Sequence, residues 1–250
     1  MISLKNEKQI ESMKKAGRIT GEALLVARDA IRPGITTKHL DDLIRHYIEK
    51  CGAKPSFLGY AGFPGSACIS VNNQIIHGIP SPNVVLKEGD IVKVDVGAYI
   101  DGFHGDAART YPVGNISEAA AKLIRVTEES FWKGIGQIKE GNRLGDLGAA
   151  VQAHAESNGY SVVRQYVGHG VGHELHESPD VPNYGTPGRG QRFIPGMVIA
   201  VEPMVNEGSA AIIEGNDGWT VLTADGKLSA HYENTIAITP DGVLVLTKYD

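Results

Sequence analysis

The chain has 250 residues, enough for one large domain or two small ones around a sizeable core. Its 24 basic and 29 acidic residues leave a net charge of −5, which argues against bulk electrostatic binding to nucleic acid. The 31 glycines exceed the usual share of about 7%, so many tight turns or close backbone approaches are expected.

The opening stretch MISLKNEKQIESMKKAG lacks the apolar centre of a secretion signal, and no apolar run approaches a membrane span. Two cysteines, Cys51 and Cys68, cannot build a disulfide framework or a four-cysteine zinc site. A cytoplasmic protein with free thiols is therefore expected. Residues 37–52, TKHLDDLIRHYIEKCG, predict a helix. Thr37 suits the N-cap, Leu40, Leu43, Ile44, Tyr47 and Ile48 share one face, and Gly52 suits the C-terminal stop. His39 and His46 fall outside that stripe, in solvent. Further on, YIDGFHG predicts a hairpin turning at Asp101-Gly102, which pairs Ile100 with Phe103 and Asp95 with Ala108. Asp106 then points to the same face as Asp95, as its diagonal neighbour.

From Ile138 the layout repeats. IKEGNRLGDLGAAVQAHAESNG matches IRPGITTKHLDDLIRHYIEKCG from Ile31 at a constant shift of 107 residues. The apolar face becomes Leu147, Ala150, Val151, His154 and Ala155, which places His154 as a core histidine. The same shift relates GDIVKVDVGA from Gly89 to GMVIAVEPMV from Gly196, with an acid six residues on in each, Asp95 and Glu202. One α+β domain is expected, spanning 1–250, with duplicated halves of roughly 1–110 and 111–250 packed about a pseudo-twofold axis. Two long copies make a duplication, not a solenoid. Between them, SPDVPNYGTPGRGQRFIPG (178–196) predicts a long loop, of a length often tied to function.

Four carboxylates, Asp95, Asp106, Glu202 and Glu233, thus stand among strand-forming apolar residues. Any one of them alone reads best as facing solvent on a half-buried strand. As a set they read differently, because two are repeat-related and two share a hairpin face. Clustered buried anions repel and require neutralising partners, for which Lys93 and Arg109 are the main basic candidates on these strands. Two divalent cations balance four carboxylates in formal charge, and oxygen donors with one or two imidazoles suit manganese, iron, cobalt or zinc. Two such ions can activate water and stabilise an oxyanion, which points to metal-assisted hydrolysis.

VGHGVGHELHES, residues 167–178, adds His169, His173 and His176. Its H-E-L-H spacing does not fit the zinc-protease helix H-E-x-x-H, and Gly168, Gly170 and Gly172 argue against a helix there. His104 and His231 each lie two residues from one of the acids, so both can face the site.

DVGAYIDGFHGDAART, GHGVGHELHESP, VIAVEPM, NDGWTVLTADGKLSAHYENTIAIT and CISVNNQIIHGIP together resemble the bacterial type I methionine aminopeptidases, in order and separation, over nearly the whole chain. The resemblance implies the pita-bread fold: two pseudo-twofold halves, antiparallel sheet covered by helices. It implies a dinuclear site of Asp95, Asp106, His169, Glu202 and Glu233, with Asp106 and Glu233 bridging the ions and Asp95 chelating one. His169 and Glu202 complete the other ion's shell, and Glu202 shuttles protons. His77 and His176 are implied to contact the scissile amide and stabilise the oxyanion, which leaves His173 a bystander and His104 and His231 as hydrogen-bonding neighbours. Tyr60, Phe63, Cys68 and Trp219 match positions that enclose the methionine side chain. Phe63, Leu175 and Phe57 differ from residues common in relatives, which bears on pocket shape.

The implied reaction is removal of the initiator methionine from nascent chains with a small second residue. A cytoplasmic monomer in transient contact with the ribosome is expected to carry it out. Two alternatives share the fold: a proline-directed aminopeptidase, whose relatives usually carry an extra N-terminal domain, and a non-catalytic binding module.

Overall fold

The computed structural model describes residues 2–248. Helix α1 (Glu7–Ala30) starts at a capping box, in which the Asn6 side chain accepts from the Gln9 amide and the Gln9 side chain accepts from the Asn6 amide, each at 3.0 Å. Helix α2 (Thr37–Lys50) is capped by Thr36 and not by Thr37. Thr36 has the extended backbone a cap requires, and its hydroxyl accepts from His39 N at 3.1 Å. Thr37 is buried inside the first turn, its hydroxyl bonded to Ser81 O.

Strand β1 (Lys54–Pro55), a short 3-10 turn at Tyr60–Gly62, β2 (Ala67–Val71), β3 (Gln74–Ile76), β4 (Ile91–Ile100) and β5 (Phe103–Pro112) follow. After α3 (Glu118–Ile135) and α4 (Leu144–Ser157) come β6 (Ser161–Val162), β7 (Gly168–Gly170), β8 (Glu177–Val181), β9 (Val198–Val201) and β10 (Met204–Asn206). The chain closes with β11 (Ile212–Glu214), β12 (Val221–Thr223), β13 (Ser229–His231), β14 (Asn234–Thr239) and β15 (Gly242–Val245). Every strand pair is antiparallel. Among the described residues no helix is long and apolar enough to cross a membrane.

The 107-residue shift persists in three dimensions. α2 and α4 begin and end at equivalent residues, and each is followed by a glycine with positive φ, Gly52 at 74° and Gly159 at 88°. β1 pairs Lys54 with Tyr99 and Pro55 with Ala98, while β6 pairs Ser161 with Asn206 and Val162 with Val205. The isolated bridges Thr36–Val85 and Arg143–Arg192 correspond as well. Two halves related by a pseudo-twofold axis follow from these equivalences.

Each half buries its own apolar layer. Leu40, Ile44 and Ile48 of α2 pack with Val92, Val94 and Val96 of β4. Leu147, Val151 and Ala155 of α4 pack with Ile199, Val201 and Val205. Because strand side chains alternate, turning Val92, Val94 and Val96 toward the helices turns Lys93 and Asp95 to the opposite face. The hairpin has the expected register: Ile100 faces Phe103, Asp95 faces Ala108, and Asp106 faces Gly97. Asp101 and Gly102 form the turn with φ of 53° and 86°.

Two further expectations are corrected outside the site. His154 is half-buried at the edge of α4, where Nε2 lies 2.9 Å from Glu129 Oε2; a ring nitrogen with a carboxylate in reach has no need of a core position. The 178–196 stretch opens as β8, and its later part lies along the start of α4. There Leu144 N bonds to Gln191 O, Gly145 N bonds to Arg189 O, and Asp146 accepts from Gly188 N. The first two serve amides that a helix start leaves unpaired, and the third ties the loop to the first turn of α4.

Candidate metal centre

The carboxylates are brought together where β5 is stitched to the second half. Asp106 N donates to Thr235 Oγ1 at 2.9 Å, and that hydroxyl donates to Asp106 O at 2.8 Å. Glu233 N donates to Ala108 O at 2.9 Å, and Thr110 exchanges a 2.8 Å pair of bonds with His231. Glu202 and Glu233 do not lie within strands. Glu202 occupies the break between β9 and β10, where Pro203 has no N–H to give a ladder, and Glu233 occupies the break between β13 and β14. A break frees each side chain from the strict strand alternation and lets it turn inward.

His169 on β7 is buried, with Nδ1 2.9 Å from Gly170 O. That contact assigns the proton to Nδ1 and leaves the Nε2 lone pair facing the acids. Nε2 lies 3.7 Å from Asp106 Oδ2 and 3.7 Å from Glu202 Oε1. Asp106, His169 and Glu233 each offer a donor atom within 4.8 Å of the others. Asp95 Oδ1, Asp106 Oδ1 and Glu233 Oε1 are buried without a hydrogen-bond partner among the described residues.

Neither basic candidate neutralises them. The Arg109 guanidinium donates to Ala108 O, Glu233 O and Asn234 Oδ1, and it stacks over Tyr232 at 4.1 Å. The Lys93 ammonium donates to Asn72 O at 2.6 Å. Burial accordingly pushes Asp106 up to about 7. Asp95, Glu202 and Glu233 also rise, through burial first and the neighbouring carboxylates second. Burial lowers His169 to about 3, which keeps its imidazole neutral. Unpaired buried oxygens beside a neutral imidazole form a donor set suited to a divalent cation.

All eleven residues expected at the site line one cavity of about 550 Å³. The acids and His169 share it with Phe57, Phe63, Cys68 and Leu175, a buried apolar cluster against which Trp219 packs, and Cys68 pairs with Asp95 across β2 and β4. Phe63 meets Trp219 edge-on at 5.1 Å, and burial pushes the Cys68 thiol up. His176 lies against His169 with ring centroids 4.1 Å apart, and its Nδ1 is 2.8 Å from Tyr60 Oη. His77 takes a left-handed φ of 59° and meets Tyr166 edge-on at 5.6 Å. Burial takes its imidazole down to about 4.

The remaining histidines separate by contact. His173 is exposed, bonded to Gly102 O at 2.7 Å and packed on Phe103, and does not line the cavity. His104 bonds to Ser56 Oγ at 2.9 Å and lies beside Tyr99. His231 is buried, with Nε2 3.5 Å from Glu202 Oε2, and neither ring nitrogen has a hydrogen-bond partner among the described residues. Tyr166 lines the cavity although its sequence context carries no motif. Its place three residues before His169 is the one signal available.

The family model for "Metallopeptidase family M24" matches residues 11–240. A methionine aminopeptidase of Clostridium perfringens is 58% identical over 247 residues, covering 99% of both chains. The crystal structure of a methionine aminopeptidase from Thermotoga maritima superposes with a TM-score of 0.98 at 48% identity, covering 100% of each chain. A prolidase from Pyrococcus furiosus reaches a TM-score of 0.80 at 25% identity, and the match covers 99% of this chain and 66% of the prolidase. With its pseudo-twofold pita-bread architecture, its cluster of buried acids and a family match over most of its length, the chain belongs to metallopeptidase family M24.

Proposed function

We propose that this enzyme is a metal-dependent aminopeptidase that removes N-terminal methionine from proteins whose second residue is small. One observation carries the reading: one cavity joins buried carboxylates with unpartnered oxygens to an apolar wall of Phe57, Phe63, Cys68 and Leu175. A methionine side chain fits such a wall, because its flexible, polarisable thioether packs well against aromatic edges and a thiol.

Asp95, Asp106, His169, Glu202 and Glu233 would hold two divalent ions; cobalt, manganese, iron and zinc all suit the donors. When bound, the ions supply a nucleophilic water near neutral pH and positive charge for the tetrahedral oxyanion. The chain's own groups do the rest. Tyr60, Phe63, Cys68 and Trp219 enclose the methionine side chain and fix the scissile amide over the acids. Glu202 takes the proton from the attacking water and returns it to the leaving amine. His77 and His176 donate to the carbonyl oxygen as it gains charge, at positions that need no reorganisation during the reaction.

An initiator methionine is first exposed on a chain still in synthesis. We therefore place the reaction in the cytoplasm, in transient contact with the ribosome, and assign it to a monomer. Residues 1–250 would form one catalytic domain from halves of roughly 1–110 and 111–250, a reading supported by the Asp106–Thr235 and Arg109–Glu233 bonds across the junction.

The test is hydrolysis of Met-Ala-Ser, Met-Leu-Ser and an Xaa-Pro peptide by manganese- or cobalt-loaded protein. Cleavage of Met-Ala-Ser well above the other two is expected. Preference for Xaa-Pro identifies a proline-directed enzyme, and no cleavage identifies a binding module; either result overturns the proposal.

A further inference from the structure

Tyr60 is expected to wall the methionine pocket, yet its most specific contact is polar. Its hydroxyl lies 2.8 Å from Nδ1 of His176, 116 residues further along the chain. The ring centroids are 5.2 Å apart at 47°, so the phenol oxygen meets the imidazole edge and the rings do not stack face to face. Packing does not account for the position, since Tyr60 is 43% exposed.

The turn that carries it is built for the purpose. Gly59, Ala61 and Gly62 take φ of 82°, 46° and 89°. Ala61 has none of glycine's freedom, and a side chain in the left-handed region persists only where surrounding contacts over-determine it. Those contacts are Gly59 N to Phe63 O and Phe63 N to Tyr60 O, both 2.8 Å, with Phe63 buried in the apolar wall. On the other side, the His176 ring rests on His169. His176 is thus held between a wall residue and the acid cluster.

A phenol O–H is a stronger donor than an imidazole N–H, and an sp² ring nitrogen is a stronger acceptor than a phenol oxygen. The bond therefore runs from Tyr60 O–H to Nδ1, and partial burial of the phenol, with Glu174 and Asp106 nearby, raises its pKa and keeps its proton in place. A neutral imidazole that accepts at Nδ1 carries its single proton on Nε2.

We infer that the Tyr60 hydroxyl is a positioning group that fixes His176 as the Nε2–H tautomer, so that His176 presents a proton donor to the substrate carbonyl oxygen. The inference rests on the placement of His176 beside the scissile amide proposed above. It assigns Tyr60 a second role that its ring alone cannot perform, and Tyr60→Phe separates the two, because the ring that walls the pocket stays.

Three measurements test it. For metal-loaded Tyr60→Phe, kcat for Met-Ala-Ser should fall on the order of tenfold while KM stays within about twofold, the usual scale for losing a group that orients a functional histidine. In a His176→Ala background the loss from the same substitution should be several-fold smaller than in the wild type, as expected of two groups that act through one another. Long-range 1H–15N correlation spectra of metal-free, 15N-histidine protein should show His176 protonated at Nε2 in the wild type, with that preference weakened in Tyr60→Phe. An unchanged kcat in Tyr60→Phe, an equal loss in the His176→Ala background, or a wild-type Nδ1–H signature overturns the inference alone. If His176→Ala itself keeps full kcat, the placement of His176 fails, and the inference with it.

Discussion

Metal should stabilise this protein more as pH rises, and by an amount set by the protons it displaces. In the metal-free cavity Asp106 holds its proton up to about 7 because it is buried, and Asp95, Glu202 and Glu233 are raised in the same direction. For an acid whose folded pKa lies above its unfolded value of about 3.9, the stabilising effect is full below the unfolded value and is lost as pH climbs to the folded one. Bound metal keeps the carboxylates ionised, so that loss disappears. Burial shifts His77, His169, His231 and Lys93 in the opposite sense, but these groups act with and without metal and cancel in the difference. At about 1.4 kcal/mol per pH unit for each displaced proton, Asp106 alone widens the gap by roughly 3 kcal/mol between pH 5 and 7. The assay is urea unfolding at half-unit pH steps, in saturating manganese and in chelator. Parallel curves would mean that the acids are already ionised without metal, and would refute the reading of a buried, unpaired cluster.

Asp106→Ala should lose bound metal and nearly all activity, whereas His176→Ala should keep its metal and lose roughly 10²–10³-fold in kcat, the cost of one oxyanion donor. Metal analysis beside peptide hydrolysis separates the two, and metal loss in His176→Ala would overturn the division of roles. Asp41 is buried and accepts from Ser66 N at 2.7 Å and Ala67 N at 3.0 Å, at the start of the strand that carries Cys68. Asp41→Ala should cost roughly 2–4 kcal/mol in urea unfolding by leaving two buried amides unpaired; a loss below about 0.5 kcal/mol contradicts that. A Cβ on Gly17 would collide with the Leu246 carbonyl, so Gly17→Ala should destabilise by roughly 1–3 kcal/mol and leave metal content unchanged. An unaltered melting curve would show that the backbone at Leu246 yields freely.

Much of the framework was legible because it depends on local rules. Asp101-Gly102 permits a two-residue turn, and the turn then sets every pairing down to Asp95–Ala108. The constant 107-residue shift is visible in the sequence itself, and it relates α2 to α4 and β1 to β6 in the fold. The cap at Thr36 was misplaced by one residue because two adjacent threonines satisfy the same rule and only the backbone angles choose between them. His154 followed the repeat into a core position, but Glu129, on another helix, decided its environment. The inward turn of Glu202 had a local sign in Pro203. The contacts between Tyr60 and His176 and between His231 and Glu202 had none, since they join distant segments through side-chain geometry alone.

The most direct test of the account is anomalous scattering from crystals loaded with cobalt or manganese. The expected result is two metal peaks in the one cavity, bounded by Asp95, Asp106, His169, Glu202 and Glu233, with none at His173. Peaks elsewhere, or an empty cluster in protein that still cleaves Met-Ala-Ser, would contradict it.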